Sequence, residues 1–178
     1  MFDPKTLLDR GREFARSRRP EEACDLFAQA VAEARFLHNP LLLVEALMAL
    51  GQIECSLRHP ATAADCYHEA ALVAAHNAEP SLQAEALIEL AGTYLSQERT
   101  GDAARVCDEL LAVTQKAEDG AALARARALH MLARIQESAV HHDELALLLQ
   151  AAATLYEMAG DSTHAAECKS HLAFLLGQ

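Results

Sequence analysis

The chain has 178 residues and a formal charge of −11, and 38 Ala plus 28 Leu stand against only 9 Val and Ile together. Ala and Leu lose little in a helix, whereas β-branched and aromatic side chains suit a pleated surface, so this ratio argues against a sheet protein. A 52% apolar content argues against disorder, and no apolar run approaches the roughly 20 residues of a membrane span.

The acidic balance disfavours duplex nucleic acid, whose binding rests on neutralising phosphates. Residues 1–20 reverse that balance. Lys5, Arg10, Arg12, Arg16, Arg18 and Arg19 outnumber Asp3, Asp9 and Glu13, giving +3 and leaving −14 for the remainder. The opening MFDPKTLLDR has no apolar core of a secretory signal. Five cysteines (Cys24, Cys55, Cys66, Cys107, Cys168) are an odd number without a CxxC pair, so reduced thiols and a cytoplasmic location are expected.

Along the chain, Asn39-Pro40, Glu79-Pro80, Asp119-Gly120 and Ala159-Gly160 fall at intervals of 40. Midway between them lie Arg19-Pro20, His59-Pro60, Thr100-Gly101 and the stretch Val140-His141-His142-Asp143. Pro and Gly start and stop helices, so the spacing predicts helices of about 16 to 18 residues paired as hairpins. The hairpins occupy approximately residues 1–40, 41–80, 81–120 and 121–160, and Ser162–Leu176 forms a capping helix within 161–178.

Side chains repeat with the same period. Gly11, Gly51 and Ala91 are equivalent, as are Ala23, Ala63 and Ala103, then Phe27, Tyr67 and Cys107, then Ala30, Ala70 and Leu110. Small residues let two helices approach, and the large residue a turn later fills the gap beside them. One such pair cannot bury its apolar faces alone, so it stacks on the next. The expected fold is all-α: a single-domain α-solenoid of four antiparallel hairpins plus the C-terminal cap.

These residues resemble tetratricopeptide repeats. The first hairpin matches with Leu7, Gly11, Phe14, Ala23, Phe27 and Ala30, carrying Arg10 where Leu normally precedes Gly; the second matches with Leu47, Leu50-Gly51, Ala63, Tyr67 and Ala70. The third has Leu90-Ala91, Tyr94 and Ala103, with Cys107 replacing the aromatic, and the fourth departs further, with Met131, Asp143, Leu147 and Gln150 at the equivalent places. The period of 40 exceeds the usual ~34. It is similar to the long-helix repeats of kinesin light chains, Gα-binding polarity adaptors, MalT-like regulators and bacterial peptide-pheromone receptors.

The resemblance implies that the first helix of each pair lines a concave groove taking an extended peptide or a partner helix. The repeat frame places Lys5, Leu8, Arg12 and Arg16 there, then Glu45, Met48, Gln52, Cys55 and Ser56. Glu85, Ile88, Gly92 and Ser96 follow, and then Arg125, Ala128, Leu132 and Gln136. Leu8, Met48, Ile88 and Leu132 would supply apolar contact. Lys5, Arg12, Arg16 and Arg19 form one basic stripe suited to a carboxylate, and Glu45 with Glu85 forms an acidic ladder, so a ligand of mixed charge is expected.

No phosphate loop, GxGxxG or GxSxG can be assembled, so the chain reads as non-enzymatic and without a cofactor. His164, Cys168 and His171 lie at i, i+4 and i+7 and are the available metal ligands. The outer pair, however, is about 10.5 Å apart along the axis, too far for one tetrahedral ion, so no metal is expected. Leu172, Phe174, Leu175 and Leu176 make an apolar run where a cap should turn polar, which serves either internal packing or a homodimer. The function expected is a protein-interaction scaffold or adaptor. Its alternative is a regulatory sensor whose superhelix closes on a peptide or small molecule, and a metal-binding protein is the remote one.

Overall fold

A computed structural model describes residues 3–115, 121–136 and 142–177. Among the described residues there are helices and no strands: α1 (Pro4–Arg16), α2 (Pro20–Phe36), α3 (Pro40–Ser56), α4 (Pro60–His76), α5 (Pro80–Ser96), α6 (Thr100–Gln115), α7 (Ala122–Gln136), α8 (His142–Met158) and α9 (Ser162–Leu175). Among the described residues, nine helices stand where eight paired helices and a cap were expected. The expected stops at Asp119-Gly120 and Val140-His141 lie outside the described residues.

The local cause of the first five helices is a proline start, which recurs every 20 residues rather than every 40 from Pro20 onward. Each begins with proline, at residues 4, 20, 40, 60 and 80. Proline fits the first helical position because its fixed φ suits a helix and its missing N–H would have no partner there. The preceding helix always ends in the same way. Residues 18, 38, 58, 78 and 98 take φ between 50° and 66°. At the first of these turns the Arg18 amide donates to Ala15 O and the Arg19 amide to Phe14 O, and the pattern recurs at His38–Asn39, Arg58–His59 and Ala78–Glu79. Such paired bonds satisfy the last carbonyls of a helix and reverse the chain within three residues.

The chain falls into two compact units, Met1–Gln97 and Glu98–Gln178, so its structural division does not follow the forty-residue boundaries. In the first unit α1 to α5 pack consecutively, and α1 also touches α3 and α3 touches α5. The odd-numbered helices therefore form a layer of their own. Leu7, Leu8, Leu47, Leu87 and Leu90 are almost completely buried, as are Phe27 and Tyr67. A Cβ on Gly11 would sit 2.4 Å from the Phe27 ring, and one on Gly51 would sit 2.7 Å from the Tyr67 ring. The small-then-large pairing read from the sequence is thus a direct contact, a helix backbone against an aromatic face.

In the second unit α6 packs on α7, α7 on α8 and α8 on α9. Its core gathers Leu145, Leu149, Ala152, Tyr156 and Cys168. Tyr156 is stacked on His164, with ring centroids 5.2 Å apart, and meets the His130 ring edge-on at 6.0 Å. Here the homodimer expectation for the last helix needs division. Leu172 and Leu175 pack against this core, whereas Phe174 and Leu176 are 82% and 59% exposed. The apolar run is an amphipathic helix end: its inward residues already have partners within the unit.

Candidate functional site

In the first unit the layer of α1, α3 and α5 encloses a groove of about 850 Å³. Arg12 and Arg16 come from α1, Glu45, Met48, Gln52 and Ser56 from α3, and Glu85 from α5, so seven of the expected positions share one surface. Their helices place them there because residues three, four or seven apart repeat on one helical face.

Three other expectations from this unit fare differently. Leu8 is fully buried and offers no surface to a ligand. The reason is that α1 packs on both α2 and α3, which buries the adjacent Leu7 and Leu8 together. Ile88 is half-buried and Lys5 exposed, and neither lines the groove. In the second unit Arg125, Leu132 and Gln136 stand on α7, all half-buried.

The charges are not arranged as a plain basic stripe facing an acidic ladder. Arg12 donates to Glu45 at 2.5 Å and to Asp9 at 3.2 Å. That bond raises the Arg12 pKa, with Glu45 the principal cause. A frame of aligned positions missed the pair because its members lie 33 residues apart. Arg16, Glu85 and Glu89 make no ion pair among the described residues.

The floor holds residues the repeat frame had not assigned to binding. Leu41, Val44, Ile53 and Leu82 line it, and the Phe27 and Tyr67 rings reach it from the second helices. The signal for the two rings was present: each lies over a glycine of the first helix, and that gap lets it reach the floor. Burial pushes the Tyr67 hydroxyl well above its ordinary pKa, so it serves there as a neutral group. Beyond Glu89, which borders both, lies a second cavity of about 470 Å³ lined by Cys55, Arg58, Gly92, Thr93 and Ser96. A Cβ on Gly92 would meet nothing within 4 Å.

The thiols offer little chemistry. Cys66, Cys107 and Cys168 are buried and Cys24 half-buried, while Cys55 is exposed. Burial pushes Cys24 and Cys107 up to about 12 and Cys66 up to about 11, which keeps them protonated and unreactive. Cys24 donates its proton to Glu54 at 3.2 Å. His164, named with Cys168 and His171 as the available metal ligands, has its Nδ1 2.7 Å from Asp161. Among the described residues no group of three His, Cys, Asp or Glu is placed to hold a metal ion.

No protein-family model matches the sequence. No curated protein matches it either. Solved structures do. The chain superposes on BtubC (BKLC) from P. vanneervenii with a TM-score of 0.62 at 15% identity, covering 98% of this chain and 88% of that one. It superposes on a putative kinesin light chain from Podosopora anserina with nearly identical TPR-like repeats at 0.56 and 16% identity, covering 99% and 97%. For MamA the values are 0.61 and 14%, covering 94% of each chain. The fold is TPR-like. In that fold stacked hairpins present their first helices on one side, which is the side of the first unit that carries the groove. No helix among the described residues is long and apolar enough to cross a membrane.

Proposed function

We propose that this TPR-like chain is a cytoplasmic, non-enzymatic protein-interaction module that holds a peptide or partner helix in the groove of its first unit. TPR-like folds commonly mediate protein–protein interaction, and the observation that carries the reading here is the groove itself. Side chains from three successive first helices converge on one surface, with an apolar floor and charged walls. An apolar floor supplies area to bury, and charged walls select register and partner. Because the scaffold is helical, the side chains are held without the partner's help.

Photo-crosslinking tests the proposal. A benzoylphenylalanine at Gln52, exposed within the groove, should give a discrete protein adduct in native cytosol, and one at Asp65, exposed on α4, should not. Equal adducts from both positions, or none from Gln52, would overturn it.

A further inference from the structure

We infer that the groove reads charge order: it takes an extended segment with an acidic side chain over α1 and a basic one over α5, separated by about seven or eight residues and joined by apolar ones. The inference rests on the groove reading above and adds the chemistry of the occupant.

The argument starts from what the ion pair removes. Glu45 and Arg12 satisfy one another at 2.5 Å, so the middle of the groove is close to neutral. Arg16 remains on the α1 side, and Glu85 and Glu89 remain on the α5 side. None of these three makes an ion pair among the described residues, and each is exposed. Between them lie Leu41, Val44 and Met48. Unpaired charges of opposite sign thus face one another across an apolar strip.

Separation then selects the class of ligand. Packed helices lie about 8–10 Å apart, so α1 and α5, on either side of α3, are roughly 20 Å apart. In the forty-residue frame Arg16 stands further along its helix than Glu85 and Glu89 do along theirs, which adds roughly 10 to 16 Å at ~1.5 Å per residue. The diagonal is then roughly 23 to 26 Å, and at ~3.3 Å per residue a strand covers it in about seven or eight residues. A drug-sized molecule does not reach both ends. A segment with one sign of charge throughout would meet repulsion at one of them, and this is how like-charge juxtaposition rejects partners.

An array of synthetic 14-residue peptides tests this on the full chain. Each peptide carries one Asp-Glu pair and one Lys-Arg pair flanking Leu and Ala, in both orders, with separations from two to nine residues. Binding should peak near a separation of about seven or eight in one of the two orders, exceed the reversed order by about tenfold, and weaken with salt. The triple variant Arg16→Glu, Glu85→Lys, Glu89→Lys should prefer the reversed order, with circular dichroism confirming unchanged helix content. Binding that ignores charge order but is lost in Met48→Glu would overturn the charge rule and leave the groove reading standing. Failure of every peptide to bind would overturn both, and tighter binding of an acidic metabolite set than of any peptide would replace the peptide with a small ligand.

Discussion

The turns of the first unit and the α8–α9 turn of the second close their helices with the same hydrogen-bond pattern but supply opposite residues to it. In the first, every helix starts on proline while the left-handed residue is Arg18, His38, Arg58 or Ala78. In the second, the turn from α8 to α9 has glycine at the left-handed position, Gly160 with φ 77°, and serine where the proline would be. Its bonds are equivalent: Gly160 N donates to Glu157 O and Asp161 N to Tyr156 O. Proline restricts the unfolded chain before the helix, whereas glycine relieves strain in the folded turn. The same reversal is therefore stabilised through the unfolded state in one unit and the folded state in the other. The second device leaves the unfolded chain freer.

The largest expected difference lies in the cores. Tyr67→Ala and Tyr156→Ala each remove a ring that is 2% exposed, at a cost of about 3 to 5 kcal/mol. The surroundings differ, however. The Tyr67 ring lies against the Gly51 backbone, which cannot move into the void, while Tyr156 lies between two imidazoles that can. Chemical denaturation should show the greater loss for Tyr67→Ala. An equal or reversed order would remove the distinction between a backbone-built and a side-chain-built aromatic site.

Within the first unit, Gly11→Ala and Gly51→Ala should destabilise by about 1 to 3 kcal/mol through overpacking. This is so even though alanine is the better helix former by about 1 kcal/mol. Gly92→Ala has open space, so only the propensity gain applies and stability should rise. Thermal melts followed by circular dichroism decide the sign. A stabilising Gly51→Ala would show that the Tyr67 ring yields at little cost.

Exchanging the turn devices is the next test. Ala78→Gly should gain up to about 1 kcal/mol by relieving the left-handed backbone, and Gly160→Ala should lose a similar amount. Ser162→Pro should gain about 0.5 kcal/mol, since the first helical amide needs no partner and the Asp161 backbone, at φ −90° and ψ 79°, is close to that of Glu79 ahead of Pro80 at φ −107° and ψ 75°. If Ser162→Pro destabilised the protein, the turns would not be interchangeable and the comparison would fail at its root.

Much of this was legible in the sequence, and the failures have specific causes. The forty-residue period and the glycine–aromatic pairs are encoded by residue size and by proline, both of which act locally. Leu8 was misplaced because a stripe on a helical wheel assumes one packing partner, whereas α1 has two. Glu45 was read as one rung of an acidic ladder because a repeat frame aligns equivalent positions and says nothing of how far the Arg12 side chain reaches. Leu172 and Leu175 were grouped with Phe174 and Leu176 because an unbroken apolar run carries no period. The core of α8 and α9 was needed to separate inward from outward residues.

The smallest effect concerns acid, and it belongs to the second unit. Burial lowers the His130 pKa below the ordinary 6.5, and Arg134 on its own helix with His164 and His171 on α9 act in the same direction, while Glu167 opposes them. The edge-on Tyr156 ring on α8 adds no charge. Since the unfolded chain takes up this proton first, the contribution of neutral His130 is complete above about pH 6.5. It is lost as the pH falls from there through the folded value. Asp161 works in a lower window. The backbone and side-chain bonds from His164 hold its carboxyl below the ordinary 3.8, so its contribution is present above that pH and is lost as acid protonates the folded carboxylate. Hydrogen exchange at α7–α9, corrected for intrinsic rates, should therefore rise between pH 7 and about pH 5. His130→Gln should flatten that rise without touching the lower window. An unchanged slope in the variant would remove His130 from the comparison.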